Sequence, residues 1–337
     1  MNTRPIPRAA AAAAALTAAI TLSACGSDVT DAGDGAGTEN ALTIENCGRE
    51  ITVDGVPEAV VGLSPTQTEL LLRLGLADRI VGQAQTSTAP LSEAVAGLAA
   101  DIPVLSEDTP PSREALLEVE PDFVYSPTDY EFTAEQGFAS LDQLAEAGVA
   151  AYTATGGCPD RRMQGTVDDL FTDLANLGAV FDAEDEAAAL ADEAQATLDD
   201  VESRIEGLEQ PTVAQVFVEG GALTAIGAGI EYDMIHRAGG ENVFGPDDPE
   251  FASFFAAQIN PEALAAEDPD VIVFAARDAE HEQATRDYLA QTLPEVSAVA
   301  NGRIVVISGS DVYPGSLGNI DAVRTIAAGL YPEAFQA

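Results

Sequence analysis

The chain has 337 residues and a formal net charge of −43, all 14 of its basic residues are arginine, and it contains no lysine and no tryptophan. Without lysine there is neither a phosphate-binding P-loop nor a Schiff-base nucleophile, which excludes ATPases built on that loop and pyridoxal enzymes. So acidic a surface also repels nucleic acid and anionic lipid, and reads as a solvated, solubilising coat rather than a binding face.

At the N-terminus, Arg4 and Arg8 precede an apolar run over 9–20, followed by Leu22-Ser23-Ala24-Cys25. A membrane-spanning helix needs about 20 apolar residues. This run is shorter and ends in small residues ahead of a cysteine, so residues 1–24 read as a signal peptide cut before Cys25. The tetrapeptide resembles a bacterial lipobox, which implies a lipid on the Cys25 thiol that anchors an exported, extracytoplasmic protein to the cell membrane. An ordinary secretory cleavage site is the alternative. Residues 26–38 are mostly Gly, Asp, Ser and Ala with little to bury, so a flexible tether is expected over 25–40. The length that remains suits two lobes of roughly 100–150 residues each.

The first lobe is expected over 41–182. Residues 42–45 and 49–53 alternate apolar and polar around Asn46-Cys47-Gly48, the pattern of a hairpin. Strand and helix then alternate: a strand over 59–63, a capping box Thr66-Gln67-Thr68-Glu69 opening a helix that stops at Gly75, and strands over 80–82, 102–105, 123–125 and 149–152. Helices are expected near 112–119 and 141–147. The fold class is α/β, with largely parallel sheets. Cys47 and Cys158 are the cysteines beyond the anchor, and in an oxidising compartment they are expected to pair, two free thiols being the alternative.

From 183 to 210 an interlobe helix is expected. Apolar residues recur at Ala187, Leu190, Ala194, Leu198, Val201, Ile205 and Leu208, and the helical period gives a rod of about 35–40 Å. A second α/β lobe follows over 211–337, with strands over 213–218, 223–226, 271–274 and 304–307. It echoes the first lobe. Ser112-Arg113-Glu114-Ala115-Leu116 through Glu120-Pro121-Asp122-Phe123-Val124 matches Asn260-Pro261-Glu262-Ala263-Leu264 through Asp268-Pro269-Asp270-Val271-Ile272 without gaps. Internal duplication and convergence on a common helix-to-strand connection both account for it.

These features resemble the solute-binding proteins of the iron-siderophore, haem and cobalamin ABC importers over nearly the whole mature chain. The specific parts are Val60 through Glu69 with Leu74-Gly75, Asp78-Arg79-Ile80-Val81-Gly82, Glu114 through Val124, the long helix, and Ala238 through Phe244. The resemblance implies two α/β lobes joined by one long helix, a small-molecule metal chelate held between them, and small closure movements. It also implies delivery to a membrane permease. Glu114 and Glu262 occupy the motif positions whose glutamates dock on permease arginines, and each stands in a first helical turn where a carboxylate is favoured. A monomer with no cofactor, no resident metal and no catalytic residue is expected.

Ligands of open α/β sheets sit beyond the carboxyl ends of the strands. That selects Ser64, Thr66, Gln85, Tyr125 and Tyr130 from the first lobe, and Tyr232, Phe254, Phe255, Arg277 and Tyr313 from the second. With Arg277 the one strand-end arginine, a neutral or cationic ferric hydroxamate is favoured over a polyanionic catecholate, cobalamin and haem being the alternatives. A hydrolase lacks parts: Gly62-Leu63-Ser64-Pro65-Thr66 has no closing glycine, and only His236 and His281 could serve as base. Gly227-Ala228-Gly229 meets Tyr232 where a dinucleotide fingerprint needs glycine. A zinc or manganese binder would call for more histidine.

Overall fold

A computed structural model describes residues 41–336; the expected signal peptide, the lipidation site Cys25 and the tether lie outside the described residues. The strands in chain order are β1 (Ala41–Asn46), β2 (Arg49–Asp54), β3 (Val60–Gly62), β4 (Ile80–Ala84), β5 (Val104–Ser106), β6 (Phe123–Ser126), β7 (Ala150–Thr153), β8 (Thr212–Glu219), β9 (Ala222–Ile226), β10 (Glu241–Asn242), β11 (Ala256–Gln258), β12 (Val271–Ala276) and β13 (Ile304–Ser308). β1 and β2 form an antiparallel hairpin. The first sheet has the order β5-β4-β3-β6-β7 and is parallel throughout. Its central strands are buried on both faces, which is why they read as short continuous apolar runs.

The second sheet has the order β11-β9-β8-β12-β13, with β10 also on β8. It is parallel from β8 through β12 to β13 and antiparallel where β9 meets β8 and β11. The cause is local. Gly220 and Gly221 take φ +57° and +80°, the left-handed pair that a two-residue hairpin turn requires, so β8 folds straight back into β9 with no helix between them.

The helix Glu184–Ile205 buries Ala187, Leu190, Ala194, Leu198 and Val201 along one stripe. At 1.5 Å per residue it is about 33 Å long. It packs against the helix Asp169–Phe181 from the first half and the helix Gly318–Leu330 from the end of the chain, and so spans both halves. Gly207, at φ +76°, ends it, which leaves Leu208 outside the helix and exposed.

One helix start differs from the sequence expectation. The helix after β3 is Pro65–Arg73 with Ser64 as its N-cap, because proline is pre-set for the first helical position and needs no amide partner. Thr66 and Glu69 therefore form no capping box, and the Glu69 carboxylate accepts from the backbone and hydroxyl of Ser92 instead.

The repeated segments hold equivalent structure. Ser112 and Asn260 each cap their helix by accepting from the amide three residues on. Glu120 and Asp268, in register, both take the left-handed conformation. Asp122 accepts from the amides of Glu58 and Ala59 at 2.8 and 3.0 Å, just before β3. Asp270 accepts from the amide and hydroxyl of Thr212, both at 3.0 Å, at the start of β8. In each lobe the Pro-Asp carboxylate thus clips the beginning of the neighbouring parallel strand.

Candidate functional site

Besides the bond from Val167 N to the Asp233 carboxylate at 2.9 Å and the Arg237–Asp168 ion pair, the lobes meet at three places of note. Gln67, fully buried in the first turn of its helix, donates from Nε2 to the Pro314 carbonyl at 2.9 Å. Its Oε1 is held by the hydroxyls of Ser64 and Thr66 at 2.5 and 2.7 Å. Beside it the Tyr125 hydroxyl donates to the Gly315 carbonyl at 3.5 Å. Gly315 has φ +72°, and a Cβ there would lie 2.3 Å from that hydroxyl, so only glycine lets the second-lobe loop pass so close. The third contact comes from the segment 158–165. Met163 O accepts from Gly229 N at 3.3 Å, and the Arg162 guanidinium lies 5.3 Å from the ring centroids of both Phe254 and Phe255.

Behind that segment is a cavity of about 210 Å³, whose walls include Thr128, Gly156, Arg162, Glu231, Phe255 and Tyr313. The Cys47–Cys158 disulfide is formed. It ties the start of the segment to the β1–β2 turn, on the same side of the fold as β7.

Charge in the cavity is unevenly compensated. Glu231 sits in the first turn of the helix Gly229–Arg237, and its carboxylate accepts from the Gln215 side-chain amide. No arginine or histidine pairs with it among the described residues, and burial pushes its carboxyl up to about 7. Gln215 Oε1 is itself buried without a partner. The Tyr313 phenol is raised by burial, with Glu131 and Glu231 adding to the effect and Arg277 opposing it. Glu131 is buried, accepting from Thr128 Oγ1 at 2.6 Å, Ser126 Oγ at 3.2 Å and Gln85 Nε2 at 3.4 Å.

Of the residues selected from the sequence, Phe255 and Tyr313 line the cavity, and Phe254 stacks on Phe255 at 4.4 Å. Ser64 and Thr66 support Gln67 rather than reaching the cavity. Gln85 bonds the Leu63 carbonyl at 2.7 Å and Glu131. Tyr125 is fully buried between the Tyr152 ring and the interlobe loop. Tyr130 stands half exposed, edge-on to Phe138, and Tyr232 offers its carbonyl to Asn242. Arg277 pairs with Glu219 at 2.8 Å and lines a separate groove with His281 and Tyr288. Glu114 and Glu262 are exposed first-turn residues, outside the cavity. Sequence reasoning missed Thr128, Arg162 and Glu231. Arg162 lies in an irregular loop with no periodicity to flag it, whereas Glu231 follows the Gly227-Ala228-Gly229 turn and was legible as a strand-end position.

The family model described as periplasmic binding protein matches residues 60–310. A Bacillus subtilis (strain 168) protein named as an uncharacterized ABC transporter substrate-binding lipoprotein is 23% identical over 342 residues, covering 98% of this chain and 99% of its own. A cobalamin-binding protein of Halobacterium salinarum is 27% identical over 276 residues, covering 78% of this chain and 66% of its own. Among solved structures, an ABC-type Fe3+-hydroxamate transport system protein from Saccharomonospora viridis superposes with a TM-score of 0.68 at 25% identity, covering 88% of this chain and 99% of that one.

Proposed function

The chain belongs to the periplasmic binding protein family, and from that premise we propose that it is the lipid-anchored solute-binding protein of an ABC importer, with no enzymatic step of its own. The observation that carries this reading is the cavity itself: it lies where the two lobes meet, is walled by both, and is the natural place to trap a solute for transfer. The solute we propose is a ferric hydroxamate, a reading supported by the likeness to the Saccharomonospora viridis protein. The Halobacterium salinarum relative favours cobalamin as the second reading. No three His, Cys, Asp or Glu side chains group to hold a metal ion among the described residues, so a metal arriving inside its own chelator suits these walls better than a bare ion.

The cavity is smaller than the roughly 300–1,000 Å³ of pockets that bury drug-sized ligands. A whole chelate is therefore admitted only when the segment 158–165 swings off Phe254 and Phe255 and the lobes part.

For delivery, Glu114 and Glu262 present one carboxylate from each lobe at repeat-equivalent positions, which suits bivalent docking on a two-fold permease. A backbone amide bond, and then the hydrogen bond from Arg113, hold the Glu114 carboxyl below its ordinary range. Uptake measured in cells carrying Glu114→Ala, Glu262→Ala and the pair tests the role. Uptake should fall most in the double variant while solute affinity is kept. Full transport by the double variant, or loss of affinity with it, would remove this docking pair.

A further inference from the structure

Glu231 is the least compensated charge in the cleft. Its side chain lies in the cavity wall, partly buried, with one neutral amide as its partner. That amide belongs to Gln215, whose own carbonyl oxygen is buried without a donor. A buried carboxylate without a cation is unfavourable, and it gains more from an arriving positive group than an exposed one does. Tyr313, on the same wall, can add only a neutral phenol, and nearby Glu131 carries a charge of the same sign. The cavity's own cation, Arg162, does not complete the pair: it is exposed to water and stacked over Phe254 and Phe255.

We propose that the pocket at Glu231 is the charge-selecting subsite of the cleft, and that it takes a cationic hydrogen-bond donor, such as a protonated amine, borne on an arm of the bound chelate. This rests on the reading of the protein as a ferric hydroxamate carrier. It fits the volume, since about 210 Å³ holds a pendant arm though not a whole chelate. The raised Glu231 carboxyl sets the expected pH response. An ammonium beside it draws the group back to its ionised form, so binding releases a proton and weakens as pH falls.

The probes are a linear ferric trihydroxamate ending in a primary amine and the same chelate acetylated at that amine, titrated calorimetrically into the full mature protein and into Glu231→Gln. The wild type should favour the amine form by about tenfold at about pH 8, equivalent to about 1.4 kcal/mol, and less at about pH 5 as Glu231 takes up its proton. Glu231→Gln should bind both forms with equal affinity, its binding of the acetylated form showing that it is folded. Equal affinities in the wild type, or a preference that survives in Glu231→Gln, would overturn the subsite while leaving the carrier reading in place. Binding of neither probe would overturn the hydroxamate reading and the subsite with it.

Discussion

Asp173 is buried in the first lobe with its two carboxylate oxygens treated unequally. Oδ1 accepts from the Tyr152 hydroxyl at 2.8 Å and from the amide and hydroxyl of Thr155 at 2.9 and 2.6 Å, while Oδ2 has no partner. Burial outweighs those bonds and lifts its carboxyl to about 7; Glu231 is lifted to about 7 and Asp311 to about 6 for the same reason. In the unfolded chain such groups titrate near 3.9–4.3. Below about pH 4 both states hold their protons and the native state keeps its full advantage. As pH rises through the folded values the unfolded chain has already released its protons, so the native state loses stability. The high net negative charge acts in the same direction. Thermal melts should therefore give a higher Tm near pH 5 than near pH 8. Asp173→Asn, which keeps the acceptor at Oδ1 and removes the buried charge, should reduce that difference, chiefly by raising Tm at the alkaline end. A Tm profile identical to that of the wild type would show that Asp173 does not carry the effect.

The elements divide into those the sequence made legible and those it did not. The long helix was readable because its burial stripe repeats with the helical period over many turns. The Pro-Asp segments were readable because cap, helix and strand start follow in fixed order in both lobes. The apolar runs 213–218 and 223–226 mark two strands, but only the glycine pair Gly220-Gly221 between them signals a direct antiparallel return rather than a crossover. β9 accordingly runs against β8 and β11, and the turn after it brings Ala228 to Glu231 to the cavity. The segment 158–165 has no period at all, and its place is fixed by what it is tied to. The Cys47–Cys158 bridge closes a loop with a sequence separation of 111 residues. Replacing both cysteines by serine should lower unfolding stability by about 2–4 kcal/mol in denaturant titration. Because Arg162 follows in the same segment, it should also speed release of a bound chelate. Unchanged stability would mean that the β1–β2 turn and this loop are held together by packing alone.

At the scale of the whole molecule, the long helix joins two α/β lobes, and the cavity walled by Glu231, Phe255 and Tyr313 lies where their loops touch. Glutamine, tyrosine and glycine contacts hold one side, and the Arg162 stack closes the other. The same arrangement leaves Glu114 and Glu262 exposed in the first turns of equivalent helices, away from the cavity. On the proposed function, a metal chelate is held between the lobes, against the walls of that cavity once it has opened. Calorimetric titration of a ferric trihydroxamate into the wild type and into a Phe255→Ala, Tyr313→Ala double variant tests it most directly. Two aromatic walls removed from a binding site should weaken binding by at least about tenfold, while the circular dichroism melt stays that of a folded protein. Equal affinity in the two proteins would place the chelate elsewhere and contradict the account.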